Sequence, residues 1–538
     1  EVDLRVAQLA ATLGPVFEQD LLAQLAGTKV TAELGQLVEA GILDPVGDAR
    51  QGRYRFRHAL LRDAAYETQL LDARRDAHRR AAELLGAGPE SPGDLAIVAR
   101  HHDLAGDVEK AVPAYVVAAQ AAQSEASHTE ARRLLDRALE ILVGLEEGAE
   151  RDLTELTLRM MRTVSISSLF GYGYEDVLED FRVADEIARR HSDRPEIMPA
   201  QVGIWSYFIT RGQVDAAKSV LDPLLAQIAA PEAAWFAPEI ASCVGYTAFY
   251  RGELRQARRW LEQAWSGYEQ RDEQTAPASA WPLPHDPAAV TAAALACVAG
   301  LEGRSTESLT WEERALAVAD RRSFPHGPFS SAFITTYLAW LRLVTGDRAA
   351  ARELGHRTVE IAEQWRFDYF SVIGRQYVLI PEPELPVDVD ELAACGAGMD
   401  LVGHGAFRPA YLGIAATNHL YRGDPMRALD MVESALVAVQ RSGEWVHQPD
   451  LLRLRGEITL AAWPDRADEV TADLRAAVTV GLSQNSIVLA LRGAVAIARL
   501  PEQSRPADWR ETLRSVLESF PVGSASSVLS DARGLLDN

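Results

Sequence analysis

Three thiols, one adjacent histidine pair and a scrap of a phosphate loop are the residues whose types invite chemistry in this chain. Cys243, Cys297 and Cys395 form no CxxC pair and have no histidine at a useful spacing, so neither a zinc site, a disulfide framework nor thiolate catalysis is indicated. His101 and His102 are sequence neighbours, and neighbours on a helix diverge by about 100°, so they do not grip one metal ion together and read as core or interface histidines. Ala26-Gly27-Thr28-Lys29 lacks the upstream glycine and the following hydroxyl of GxxxxGK[ST], and no HExxH, GxSxG, GxGxxG or EF-hand loop occurs. The chain is therefore expected to be no enzyme: catalytic residues none, metal none, cofactor none of its own. Isolated, it should hydrolyse no nucleotide.

Composition narrows the partners. The chain has 538 residues, 48% hydrophobic and 24% charged, with a formal net charge of −23. Such a charge repels phosphate polymers and anionic lipid, which makes nucleic acid a poor first partner. No apolar run approaches the roughly 18 residues that a membrane helix needs. Few cysteines and no visible signal peptide give an expectation of the cytoplasm, and a first residue of Glu rather than Met gives one of a segment removed upstream.

The elements that must carry any site are helices in pairs. Glycine-centred turns recur at Gly106, Gly212, Gly252, Gly303, Gly346 and Gly423, each between two apolar-periodic stretches. Five residues after each glycine stands a small residue: Ala111, Ala217, Ala257, Ser308, Ala351 and Ala428. Seven residues before stand Ala99, Gly245, Ala296, Ala339 and Ala416, with Trp205 the exception. Small residues at these offsets suit two antiparallel helices at their closest approach, and the glycine supplies the turn. Pro- and Gly-rich stretches at 86–92, 275–287 and 381–386 read as loops between pairs. The first 70 residues differ: helical patterns at Leu4–Leu13, Phe17–Leu25 and Val30–Ala40, then a hairpin reaching Tyr54-Arg55-Phe56-Arg57, predict a winged helix with strand confined to about residues 43–57.

The turn register resembles the tetratricopeptide repeat, with longer spacings, 40 residues from Gly212 to Gly252 and 51 from there to Gly303. The run YRFRHALLRDAAYETQL (54–70) with Arg74-Arg75 and His78-Arg79-Arg80, together with LPHDPAAV, FYRGELRQARRWLEQA and GEWVHQPDLLRLRGEITLA, resembles the carboxy-terminal region of signal-transduction ATPases with numerous domains. Those include cyclase- or kinase-linked bacterial ATPases and, more distantly, the maltotriose-sensing transcription activator. The resemblance implies an all-α fold, a right-handed tetratricopeptide-like α-solenoid preceded by a winged helix: residues 1–70 winged helix, 71–145 connecting helices and first repeat, 146–538 superhelical sensor domain. It implies a role as sensor and interaction region, with ATP or ADP bound in an upstream nucleotide-binding domain and a small-molecule inducer or a protein or peptide as partner. The alternative is a protein scaffold with no small-molecule ligand.

Two sets of site residues follow from that resemblance. His58 falls where related proteins place a histidine that reaches the diphosphate of bound nucleotide, and equally reads as a structural histidine at a strand end. In the tetratricopeptide register the first helix of each pair lines the groove, which selects Glu239, Tyr246, Phe249 and Tyr250 before Gly252, Phe333 and Trp340 before Gly346, and Thr417 and Tyr421 before Gly423. Aromatics with few charges suit stacking on a sugar ring, an apolar ligand or a peptide, and equally suit packing between helices. If they form a ligand surface, Tyr246, Tyr250, Phe333, Trp340 and Tyr421 should stay partly exposed. DNA reading through Val30–Ala40 is disfavoured, because that helix carries Glu33 and Glu39 and no arginine. Arg74, Arg75, Arg79 and Arg80 form the main basic patch, read as a solvated or interdomain face.

Overall fold

The computed structural model describes residues 4–47, 52–86, 92–125, 127–170, 174–191, 194, 197–271, 281, 283–323, 326–384, 386–522, 524 and 527–537. Most of the expected loops at 86–92 and 275–287 therefore lie outside the described residues. Helix makes up 78% of the structure, so the fold is all-α. The chain divides into two compact units, residues 1–162 and 163–538. In this division the first helical hairpins group with the amino-terminal residues.

The first unit holds α1 (Leu4–Leu13), β1 (Val16–Glu18), α2 (Gln19–Ala26), α3 (Thr31–Glu39), β2 (Leu43–Pro45), β3 (Arg53–Phe56), α4 (Ala59–Glu67), α5 (Leu71–Leu85), α6 (Pro92–Ala105), α7 (Val108–Ser124) and α8 (His128–Leu142), and the division falls along α9 (Ala149–Phe170). The three strands form an antiparallel sheet in the order β1-β3-β2. Phe17, expected in a helix, sits in β1 opposite Tyr54, with both strand neighbours exposed and its own ring buried. The apolar spacing of 17, 21, 22 and 25 fits a helix, but Pro15 disfavours helix before it and β3 offers an open edge that β1 completes. Strand is therefore not confined to residues 43–57. Phe17, Leu22, Leu34, Leu37, Leu43 and Phe56 join sheet and helices in one core.

The second unit stacks helical hairpins: α10 (Glu175–Arg190), α11 (Met198–Thr210), α12 (Val214–Gln227), α13 (Ala237–Tyr250), α14 (Leu254–Gln270), α15 (Pro287–Leu301), α16 (Ser305–Asp320), α17 (His326–Thr345), α18 (Arg348–Trp365), α19 (Asp368–Val378), α20 (Val389–Leu401), α21 (Arg408–Tyr421), α22 (Pro425–Ser442), α23 (Gln448–Ala462), α24 (Ala467–Ser483), α25 (Ile487–Ala498), α26 (Trp509–Glu518) and α27 (Ser527–Asp537). All six repeat glycines take positive φ, from 66° to 98°, the left-handed conformation that a tight helix–helix turn demands. The small residues five positions after them are buried to 4% exposure or less. Gly245 shows why the other small position matters: a Cβ there would stand 2.6 Å from Leu261 Cγ on the partner helix.

This array folds back on itself. The backbone N–H groups of Gly405 and Ala406 donate to the Thr210 carbonyl (2.9 and 3.0 Å), Asn485 donates to Glu302 (2.8 Å), and Arg492 donates to the Val344 carbonyl (2.6 Å). Residues 404–407, 444–447 and α25 thus pack against α11, α13, α15 and α17 of the earlier hairpins. Accordingly α13 is buried from Glu239 to Tyr250 and α15 is buried almost all round, as helices without a solvent face must be.

Candidate ligand cavity

The refolded array leaves a cleft of about 670 Å³, counted out to open solvent, at its aromatic centre. Trp205 and Thr210 come from α11, Ser242, Cys243, Tyr246 and Tyr250 from α13, and Phe333, Thr336 and Tyr337 from α17. Tyr369 and Phe370 come from α19, Trp281 and His285 from the chain before α15, and His404 and Phe407 from the segment that closes the array. Among the described residues no Asp, Glu, Lys or Arg lines it.

Most of its polar atoms are already engaged. Tyr246 OH donates to the Val290 carbonyl at 2.6 Å, Trp205 Nε1 donates to Thr247 Oγ1 at 2.9 Å, Trp281 Nε1 donates to the His285 carbonyl at 2.7 Å, and the Tyr250 and Tyr337 hydroxyls bond one another. Burial pushes those two phenols up, so both stay neutral. His404 is 8% exposed; its Nδ1 bonds Tyr369 OH at 2.7 Å, while its Nε2 is buried with no partner. Burial lowers His404 to about 3, and burial with the nearby His326 lowers His285 to about 3, so both imidazoles are uncharged near neutrality. A neutral, aromatic-walled cleft suits an uncharged, largely apolar ligand.

Phe407 is the strained member of the wall. Its φ of 58° and ψ of 10° put a bulky residue in the left-handed region, at a cost on the order of 1–3 kcal/mol. Its N–H donates to buried Glu444 at 2.8 Å, and its ring meets Tyr250, Tyr337, Trp340 and His447 at 5.1–5.6 Å between centroids, which holds the conformation in place.

The structure brings together some of the sequence-selected residues and separates others. Tyr246, Tyr250 and Phe333 line the cleft, but only Phe333 is half-exposed. Phe249 and Trp340 are fully buried behind it and touch each other at 5.5 Å. Tyr246, Tyr250 and Trp340 therefore lack the exposure expected of them: Trp205, Phe333, Tyr337 and the Val290 carbonyl close over Tyr246, and Phe407 and His447 of the returning segments cover Tyr250 and Trp340. Glu239 lies in the same helix but is bound by the Arg271 guanidinium (Nη2 to Oε2 2.8 Å), closing the α13–α14 hairpin. Thr417 lines a different pocket, and half-buried Tyr421 lies under the Arg348 guanidinium at 5.4 Å. Sequence reasoning missed Trp205, Trp281, Tyr337, Tyr369, His404 and Phe407, because only the fold-back brings the 369–407 stretch to α11 and α13.

In the first unit His58 is exposed at the start of α4, in extended backbone (φ −132°, ψ 138°). The basic patch is largely engaged internally: Arg79 pairs with Asp107 (2.9 and 3.0 Å), Arg80 donates to the Leu25 carbonyl (2.5 Å), and Arg74 covers the Tyr66 ring (4.9 Å). His101 is tied not to His102 but to His78, Nδ1 to Nδ1 at 2.8 Å, and His78 continues to Tyr66 OH at 2.8 Å. The three thiols are buried, and burial raises Cys395 to about 11 and the others further. Among the described residues no group of three or more His, Cys, Asp or Glu is placed to hold a metal ion, and no helix is long and apolar enough to cross a membrane.

No protein-family profile matches the chain. An uncharacterized protein of Rhizobium meliloti (strain 1021) is 26% identical over 500 residues, 90% of this chain and 46% of that protein, so the chain spans less than half of that relative's length. Among solved structures, a signal-transduction ATPase with numerous domains that has a tetratricopeptide repeat sensor, from Pyrococcus horikoshii, aligns with 97% of this chain and 63% of its own at 13% identity and a TM-score of 0.28. A Rap protein complexed with competence and sporulation factor aligns with 80% of this chain and 97% of its own at 12% identity and a TM-score of 0.38. The human IFIT1 dimer with PPP-AAAA aligns with 86% and 93% at 13% identity and a TM-score of 0.35. Scores this low carry no weight for fold or function, which rest on the chain's own helices and cavity.

Proposed function

We propose that the chain is the sensor and interaction region of a longer signalling protein, and that a neutral small molecule entering the aromatic cleft is its inducer. The observation that carries this reading is the cleft's construction: α11, α13 and α17 supply one wall and the returning segment with His404 and Phe407 the other. A ligand held between them favours the closed array over any state in which that segment lifts away, and a population shift of that kind is what a sensor relays. The amino-terminal sheet and helices are then a winged helix, and exposed His58 is the group that meets the diphosphate in an upstream nucleotide-binding domain. The relative that continues beyond the matched region leaves room for such a domain. A scaffold for a protein or peptide would need an exposed groove, whereas α13 and α15 are buried along almost their whole length.

The test uses uncharged ring compounds, with indole as the first probe, observed by saturation-transfer NMR on the purified chain. Binding of indole, lost when Phe333→Trp fills the cleft without lowering Tm, supports the reading. No binding of any uncharged ring compound, or binding that Phe333→Trp leaves unchanged, refutes it and returns the scaffold. In the longer protein, the ligand should change ATP turnover and His58→Ala should raise the ligand-free rate.

A further inference from the structure

A second pocket of the array, about 630 Å³ when counted out to open solvent, has the opposite chemistry. Its walls are aliphatic, with Leu343, Ile380, Ile414, Leu451 and Leu489, but Arg348, Arg453 and Arg492 line it against, among the described residues, a single carboxylate, Asp450. Asp450 Oδ1 is shared, at 2.8 Å from Arg453 Nε and 2.7 Å from Arg492 Nη1. Arg453 has a second acid outside the pocket, Glu457 at 2.7 Å. Among the described residues Arg492, its side chain 15% exposed, bonds only its share of Asp450 and the Val344 carbonyl at 2.6 Å. Half-buried Arg348 makes no ion pair with any described residue and rests on the Tyr421 ring. Counting Glu457, three guanidiniums meet two carboxylates, and a buried guanidinium short of a counter-charge is costly. Burial and the neighbouring Arg453 and Arg348 accordingly pull Arg492 down to about 10.

We propose that this pocket is a binding site for a small aliphatic carboxylate, whose head is received by Arg348 and Arg492 and whose tail lies on the Ile380, Ile414 and Leu489 wall. An anion there supplies the missing counter-charge, and the guanidinium fork matches a carboxylate's two oxygens. The aliphatic lining excludes a bare inorganic anion as the preferred occupant, since it would leave the apolar wall bare. The site stands apart from the aromatic cleft and does not depend on its function.

Isothermal titration of the whole chain with octanoate, octanol and inorganic phosphate tests this. Octanoate should bind at least tenfold more tightly than either of the other two. Arg348→Gln, which removes no ion pair, should weaken octanoate at least tenfold, leave octanol unchanged and keep the wild-type Tm, while Arg348→Lys should retain part of the affinity. Equal affinity for octanoate and octanol, phosphate binding as tight as octanoate, or an Arg348→Gln variant that binds octanoate normally would each overturn the proposal. Indole binding in the aromatic cleft should be unaffected by Arg348→Gln, which separates failure here from failure there.

Discussion

Truncating Trp340 distinguishes a core aromatic from a groove aromatic. The side chain is fully buried, with Phe249, Phe407 and His447 in edge contact at 5.4–5.5 Å. A buried tryptophan removes about 150–250 Å² from water, which at ~25 cal/mol per Å² is about 4–6 kcal/mol. The alanine that replaces it keeps a little of that, so Trp340→Ala should cost about 3–5 kcal/mol. Part of the loss falls on Phe407, whose left-handed backbone relies on that ring. Trp340→Phe should recover most of the loss, because it also removes an indole N–H that has no partner. The assay is urea unfolding of the full chain followed by circular dichroism, comparing midpoints at constant m. A loss below about 1 kcal/mol would mean that the side chain faces a groove, and the fold-back would be wrong.

Three further outcomes are expected. Gly245→Ala should destabilise by about 1–3 kcal/mol through its clash with Leu261, whereas Gly423→Ala, with nothing within 4 Å, should lose only the roughly 1–2 kcal/mol of left-handed backbone, both read by urea midpoint. Asp450→Asn should cost about 3–5 kcal/mol by leaving Arg492 and Arg453 short of their shared acid, visible as a fall in Tm. Burial lowers His78 to about 3 and His101 to about 4, so the unfolded chain binds protons that the folded one refuses. Their contribution is intact above about pH 6.5 and is lost progressively as pH falls toward 3. Hydrogen exchange of α5 and α6 should therefore quicken from pH 7 to pH 4.5, after correction for intrinsic rates, and a His78→Gln, His101→Gln variant should lose that dependence.

The repeat was legible because its physics is local. A glycine in a left-handed turn and small residues where two helices cross are fixed by offsets of five and seven residues, and all six glycines adopt the turn expected of them. Strand β1 was not legible, since Phe17 to Leu25 carries a helical spacing and only the distant β3 edge decides otherwise. The cleft was legible by halves. Tyr246, Tyr250 and Phe333 could be selected from one hairpin's register, but Phe407 and His404 reach them only through the fold-back. One signal of that closure was present: Pro287 to Leu301 contains no charged residue, and a helix apolar on every face implies cover on the side where a groove should open.

The bond from Asn485 to Glu302 spans 183 residues, and Arg492 reaches back 148 to Val344. Repeat arrays ordinarily fold by nearest neighbours, each unit stabilised as soon as the next is made. Here α13 and α15 must wait on the ribosome for a cover that is synthesised much later, at 5–20 residues per second about 10–40 s later, with their apolar faces bare. Folding speed should therefore follow the distant contacts rather than the helices, and removing α25 should affect α15 more than it affects the hairpins beside it in sequence.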